Sequence, residues 1–147
     1  MTIETRPLCA EDEAEWQDLW TGYLDYYETT VDRRVYAETF RRLLGDDPRD
    51  YNGIVAVKDG HLVGLTHYLF HRHGWKIEDV CYLQDLYTAP EVRGQSIGRA
   101  LIEAVYTAAD THGAAQVYWL TQDFNEAGRR LYDRVATLTP FIKYQRP

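Results

Sequence analysis

The chain has 147 residues, 45% apolar and 27% charged, with 23 acidic side chains against 16 basic ones and a net charge of −7. That length supports one domain, 1–147, with a sizeable core, and those ratios belong to an ordinary globular protein rather than a disordered or fibrous one. The acidic balance argues against a nucleic-acid partner, which wants a basic face; no apolar run approaches the roughly 20 residues of a membrane span; and Cys9 and Cys81 are too few and too far apart for a disulfide framework or a cysteine-based zinc site.

In chain order, residues 2–8 (TIETRPL) read as a short strand. Trp16, Leu19, Trp20, Tyr23, Leu24 and Tyr27 then recur at i, i+3, i+4 and i+7, which puts one apolar stripe on a helix. Asp32 is placed to cap a second helix that buries Tyr36, Phe40, Leu43 and Leu44 and ends at Gly45. Two β-rich runs, GIVAVK and HLVGLTHYLFHR, flank Asp59-Gly60, a strong hairpin signal. DVCYLQDLYTA reads as the next strand. A third helix carries Ile97, Leu101, Ala104, Val105 and Ala108 on one side and stops at Gly113. AAQVYWLTQ reads as a buried strand, NEAGRRLYDRVA as a helix capped by Asn125, and TPFIKYQ as a last short strand. The expected order is β-α-α-β-β-β-α-β-α-β, an α/β (α+β) fold.

Charge is unevenly placed. Residues 1–50 hold 13 acids and 6 arginines, whereas residues 51–147 hold 10 of each sign. An acidic front is either a solvated face or a means of attracting a cationic substrate. The N-terminal stretch has no basic region leading into an apolar one, so no signal peptide is expected, and a reducing cytoplasm is the expected setting.

The stretch PEVRGQSIGRAL joins a strand to a helix through two glycines. It is not a P-loop, because no Gly-Lys pair is present, and it is not a dinucleotide fingerprint, because three residues separate Gly94 from Gly98. What remains is a helix N-terminus with free N–H groups and the positive end of the helix dipole, which suits a phosphate.

Arg93-Gly-Gln-Ser-Ile-Gly98, followed downstream by Asn125, Gly128 and Tyr132, resembles the two signatures of the GCN5-related N-acetyltransferase (GNAT) family, in the same order and with a strand between them. The first signature, [RQ]xxGx[GA], is matched except at its middle glycine, where this chain has Ser96. YLQDLY and TPFIKYQ suggest the branch that holds polyamine, thialysine and yeast Hpa2-type enzymes. The resemblance covers essentially the whole chain and implies a mostly antiparallel central sheet flanked by helices, with acetyl-CoA as co-substrate and no metal.

The same resemblance implies site residues. The pyrophosphate would sit over Arg93, Gly94, Gln95, Ser96, Ile97, Gly98 and Arg99, with Asn125 contributing from the second motif. The pantetheine arm would run along Leu86, Tyr87 and Thr88, in an opening between 83–88 and 116–121. Tyr132 matches the position that protonates the leaving thiolate, and an ordinary phenol with a pKa of about 10 can donate at neutral pH. Relatives read YLED where this chain reads YLQD. Gln84 is not a base, and Asp85, on the other face by strand alternation, is the first candidate; Glu78, Asp79 or a water chain are the alternatives. Tyr23, Asp25, Tyr27, Glu28 and Gln84 are expected to line the acceptor side. His61, His67, His71 and His73 invite a metal reading, but no partner carboxylate or cysteine stands at a matching spacing, and they read as solvated or structural.

The expected function is transfer of an acetyl group to a small cationic primary amine, such as a polyamine, a lysine-like amine or a basic peptide, with a homodimer as a further expectation. A regulatory acyl-CoA-binding protein with little turnover, suggested by Gln84 and Ser96, and a partner-binding subunit using the aromatic first helix are the rival readings.

Overall fold

A computed structural model describes residues 2–147. The elements are β1 (Glu4–Pro7), α1 (Glu13–Tyr26), α2 (Arg33–Leu44), β2 (Asn52–Lys58), β3 (His61–His71), β4 (Val80–Thr88), α3 (Ile97–His112), β5 (Val117–Tyr118) and α4 (Glu126–Val135). The five strands form one sheet in the order β1-β2-β3-β4-β5. The first four make an antiparallel meander, and β5 joins β4 in parallel after the α3 crossover.

Local chemistry explains most boundaries. The Asp32 carboxylate accepts the Arg34 N–H at 2.8 Å and starts α2. Asp59 and Gly60 both take positive φ, +53° and +79°, as a tight hairpin between β2 and β3 requires. Gly113 closes α3 in the left-handed region. The Arg6 guanidinium grips Asp12 with two hydrogen bonds of 2.8 and 2.9 Å, tying β1 to the entry of α1 and holding the Asp12 carboxyl down to about 2.

The sheet is covered on both faces. Trp16, Leu19, Trp20 and Leu24 of α1 and Phe40 and Leu43 of α2 are buried on one set of contacts, and Ile97, Leu101, Ile102, Val105 and Ala109 of α3 on another. Strand β3 lies between them, buried from Leu62 to Tyr68, which is why its sequence is nearly all apolar rather than alternating. Gly64 lets α3 approach closely, since a Cβ there would stand 2.9 Å from Ile97 Cγ2.

Two pairing irregularities shape the middle of the sheet. Ala56 pairs with Gly64 and Val57 with Leu62, so Val63 is extra. His67 pairs with Asp85 and Tyr68 with Leu83, which leaves Gln84 as a bulge on β4.

Three expectations need correction. The stretch 139–145 forms no strand: residues 136–147 are exposed, and Leu138, Phe141, Ile142 and Tyr144 are among the most exposed large apolar side chains. Among the described residues, no strand pairs with that stretch to satisfy its backbone groups. The strand expected across AAQVYWLTQ shrinks to Val117–Tyr118, because beyond Tyr82 strand β4 diverges from it. Leu44 is 40% exposed, since α2 ends there and its last turn leaves the core.

Candidate active site

Strands β4 and β5 share only two pairs, Cys81 with Val117 and Tyr82 with Tyr118. β4 continues to Thr88 while β5 stops, so residues 83–88 have an edge with no strand beside it. The sheet therefore opens where the sequence suggested a slot, and the bulge at Gln84 sits at the start of that opening.

The loop at the top of β4 is set by two left-handed residues, Gly94 at φ +83° and Ser96 at φ +63°. An L-residue in that region carries roughly 1–2 kcal/mol of strain. The one departure from the family signature thus falls where glycine is easiest to hold. The first turn of α3 bonds the Ala100 N–H to the Ser96 carbonyl at 3.0 Å. The N–H groups ahead of it have no intrahelical acceptor, so they fit an anionic group placed over the helix end.

The side chains of the loop divide by task. Ile97 is fully buried, so only its N–H faces the loop. A Cβ on Gly98 would stand 3.2 Å from Leu131 Cδ2, so this glycine also brings α4 close to α3. Arg99 turns along the helix to Glu103 at 2.9 Å. Arg93 donates to the Thr88 carbonyl at 3.3 Å and lies 5.7 Å from the centre of the Tyr87 ring. That Thr88 carbonyl is therefore already engaged. Lys58, at the end of β2, donates to the Gln95 side chain at 2.7 Å. It adds a cation beside the loop that sequence reasoning missed, since 37 residues separate the two.

Helix α4 supplies the other wall. Asn125 caps it by accepting the Gly128 N–H at 3.3 Å, and its amide donates to Thr121 Oγ1 at 3.0 Å. A Cβ on Gly128 would collide with that Asn125 amide, which is a local reason for the Asn-x-x-Gly spacing. Tyr26 at the end of α1 donates its hydroxyl to Asn125 Oδ1 at 3.2 Å, so α1 and α4 meet across the opening. Asn125 thus holds the cap, the Thr121 contact and the Tyr26 contact together.

Tyr132 lies one helical turn beyond Gly128, packed against Trp119 at 5.4 Å between ring centres. Burial, and then the neighbouring Tyr27 and Tyr26 phenols, push its hydroxyl up to about 12. Tyr27 packs against Tyr23 at 5.1 Å, and burial raises Tyr23 far above its usual value, with the Asp85 carboxylate next in importance. Asp85 acts on both Tyr23 and Tyr27, and Tyr27 on Tyr132, so the phenols of Tyr23 and Tyr132 both keep their protons at neutral pH.

Asp85 is 8% exposed and reaches the Nδ1 of His67 at 2.8 Å. Gln84 is exposed on the bulge, and Asp25 and Glu28 are exposed at the end of α1. Sequence reasoning passed over His67 as one of several scattered histidines. Its place in LTHYLF, two residues from Leu65 and from Leu69 on an apolar strand, was the available signal.

The Acetyltransferase (GNAT) family pattern matches residues 15–136. The chain belongs to the GNAT family. This GNAT protein is 34% identical over 145 residues to the D-amino-acid N-acetyltransferase HPA3 of Saccharomyces cerevisiae, covering 98% of this chain and 90% of that one. Over 71 residues it is 37% identical to the thialysine N-epsilon-acetyltransferase of Bos taurus, covering 48% of this chain and 41% of that one. Among solved structures, the aminoglycoside acetyltransferase HMB0005 from an uncultured soil metagenomic sample superposes with a TM-score of 0.81 at 19% identity, over 100% of this chain and 99% of that one. The ribosomal-protein-alanine N-acetyltransferase of Brucella melitensis biovar Abortus superposes with a TM-score of 0.78 at 22% identity, over 99% of each chain. These structures share the fold, and the chain is an N-acetyltransferase by family.

Proposed function

We propose that this GNAT enzyme transfers an acetyl group from acetyl-CoA to a small cationic primary amine by direct attack. The observation that carries the reading is the unpaired edge of β4 beyond Tyr82, with Asp85 buried on that strand and Tyr132 partly buried on α4 with its phenol protonated.

When bound, acetyl-CoA supplies an activated acyl carbon and a thiolate leaving group. The loop 93–99 suits its pyrophosphate through the free N–H groups of the α3 N-terminus, assisted by Lys58. The unpaired edge of 83–88 receives its pantetheine arm, with Leu86 and Tyr87 offering backbone. Asp85 takes the proton that an ammonium must lose before it is a nucleophile. Tyr132 holds a proton at Oη for the leaving group, and its raised pKa keeps that proton in place until it is needed. Asp25, Glu28 and the ring of Tyr27 attract the cation at the rim, and Gln84 on the bulge faces the acceptor as a neutral hydrogen-bonding group.

Similarity to the D-amino-acid enzyme along almost the whole chain favours a second acceptor class, the α-amine of a D-amino acid. Both classes need the same deprotonation at Asp85. They differ in whether the rim tolerates a carboxylate.

We further propose a homodimer in a reducing, cytoplasmic setting. Cys9 and Cys81 are free thiols, which suits that setting. The apolar tail 138–147 is long enough to lie along the open outer edge of β5 of a second copy, which would satisfy both.

The deciding experiment follows thiol release from acetyl-CoA with a panel of polyamines, lysine analogues and D-amino acids. A cationic amine is expected to give the highest kcat/KM. Asp85→Asn is expected to lower kcat by about 100-fold or more, with acetyl-CoA affinity unchanged by calorimetry. An Asp85→Asn enzyme with parental kcat removes Asp85 as the base. Acetyl-CoA binding without thiol release for any acceptor would favour the regulatory reading.

A further inference from the structure

Two indoles of α1, Trp16 and Trp20, stack at 5.2 Å over His67, and both are nearly or wholly buried. Their polar atoms are treated differently. Among the described residues, the Trp20 indole N–H has no hydrogen-bond partner. The Trp16 indole N–H donates to His67 Nε2 at 3.0 Å. An indole nitrogen can only donate, so His67 Nε2 must carry a lone pair. The ring proton then sits on Nδ1, which lies 2.8 Å from Asp85 Oδ2 and donates to it.

His67 is 2% exposed and Trp16 not exposed at all. The contacts Trp16 Nε1–His67 Nε2 and His67 Nδ1–Asp85 Oδ2 satisfy both nitrogens of a ring that would otherwise be costly to bury. The fold supplies the rest of the clamp. His67 and Asp85 are register partners on β3 and β4, beside the bulge at Gln84. Thr66 Oγ1 donates to the Asp85 carbonyl at 2.8 Å, so the backbone of the same residue is pinned from the same strand.

We propose that His67 is a positioning residue for acyl transfer. Capped at Nε2 by Trp16, it presents a fixed Nδ1–H to Asp85 Oδ2 and leaves Oδ1 as the oxygen that receives the amine's proton. His67 does not itself carry that proton, because a hydrogen on Nε2 would point at the Trp16 N–H. The proton moves from the acceptor nitrogen to Asp85, the nitrogen–acyl carbon bond forms as the acyl carbon–sulfur bond of acetyl-CoA breaks, the departing thiolate takes the Tyr132 proton, and His67 keeps its single ring hydrogen throughout. A carboxylate on a bulged strand has freedom at χ1 and χ2, and the two-link clamp from α1 removes it. His67 can only position what Asp85 does, so its role rests on Asp85 being the proton acceptor.

The test has a spectroscopic arm and a kinetic arm. In the parent enzyme at neutral pH, side-chain 15N NMR should show His67 with a protonated Nδ1 and a bare Nε2, as one tautomer. In Trp16→Phe, which keeps an aromatic ring and removes the donor, that signature should give way to a mixture of tautomers. Kinetically, His67→Leu should lower kcat by about 30-fold or more, with KM for acetyl-CoA within about twofold. His67→Asn, whose amide can stand where Nδ1–H stands, should recover most of that loss. A parent spectrum with hydrogen on Nε2 overturns the proposal, as does a His67→Asn enzyme as impaired as a folded His67→Leu. If His67→Leu does not fold, the parent spectrum and His67→Asn decide. Asp85→Asn is measured alongside. If Asp85→Asn is impaired while His67→Leu keeps parental kcat, positioning alone fails; if Asp85→Asn keeps parental kcat, the assignment of Asp85 fails instead, whatever the tautomer.

Discussion

Tyr132 shows how burial alone can prepare a donor. Its phenol is pushed up to about 12 chiefly by desolvation, with no cation nearby to draw it down. Tyr132→Phe is therefore expected to lower kcat by about tenfold to several hundredfold while acetyl-CoA KM changes little, measured by thiol release with chemistry rate-limiting. The same shift has a consequence for stability. A folded-state pKa above the ordinary value near 10 gives a contribution that is present below pH 10 and lost as pH rises to about 12. Thermal melts of the parent should lose stability over that window more steeply than melts of Tyr132→Phe. Ser96 makes a complementary point: a residue that departs from a signature sits at φ +63°, where glycine would be unstrained.

At the scale of elements, the N-terminus of α3 has two jobs. It presents N–H groups to an anion, and through Gly98 it lets Leu131 of α4 close against it. A pair of variants separates them. Gly98→Ala adds the Cβ that meets Leu131, and Gly98→Glu adds a carboxylate as well. Calorimetry should find Gly98→Ala within about tenfold of parental acetyl-CoA affinity and Gly98→Glu without measurable binding, both folded by circular dichroism. Equal losses in the two variants would mean that packing, not charge, governs the loop.

Over the whole molecule, charge and edge exposure matter most. Nine of the acids fall in residues 1–32 with one base, and Asp25 and Glu28 are exposed near the C-terminal end of α1. Exposed charges act weakly and are screened by salt. Asp25→Asn combined with Glu28→Gln is expected to raise KM for a cationic amine several-fold at low ionic strength, with the difference shrinking in salt and acetyl-CoA affinity intact. An unchanged KM at low salt would make the acidic front a solvated surface only. The tail sets the second expectation. Deleting 138–147 should convert a dimer to a monomer in sedimentation, because the apolar side chains Leu138, Phe141, Ile142 and Tyr144 leave with it; a parent that already sediments as a monomer refutes the tail pairing.

Where the signal was local, the sequence was sufficient. The Asp32 and Asn125 caps, the Asp59-Gly60 hairpin, the stop at Gly113 and the helical stripes of α1 and α3 all follow from the nearest few residues, and each stands where expected. The glycine loop and the Asn-x-x-Gly motif were likewise legible, because backbone sign and cap geometry are short-range properties. The failures are those of partnership. TPFIKYQ has a strand's composition, but a strand forms only where another edge accepts its hydrogen bonds, and none in the same copy does. The clamp on Asp85 was invisible for the same reason. Trp16 and His67 are 51 residues apart, His67 and Asp85 18, and Lys58 and Gln95 37. Only the register of β3 on β4 and the packing of α1 over them bring an indole, an imidazole and a carboxylate into line. The sequence by itself determined most of the elements and the family; tertiary structure alone decided which carboxylate is held, and by what, because hydrogen bonds between distant side chains have no signature in spacing.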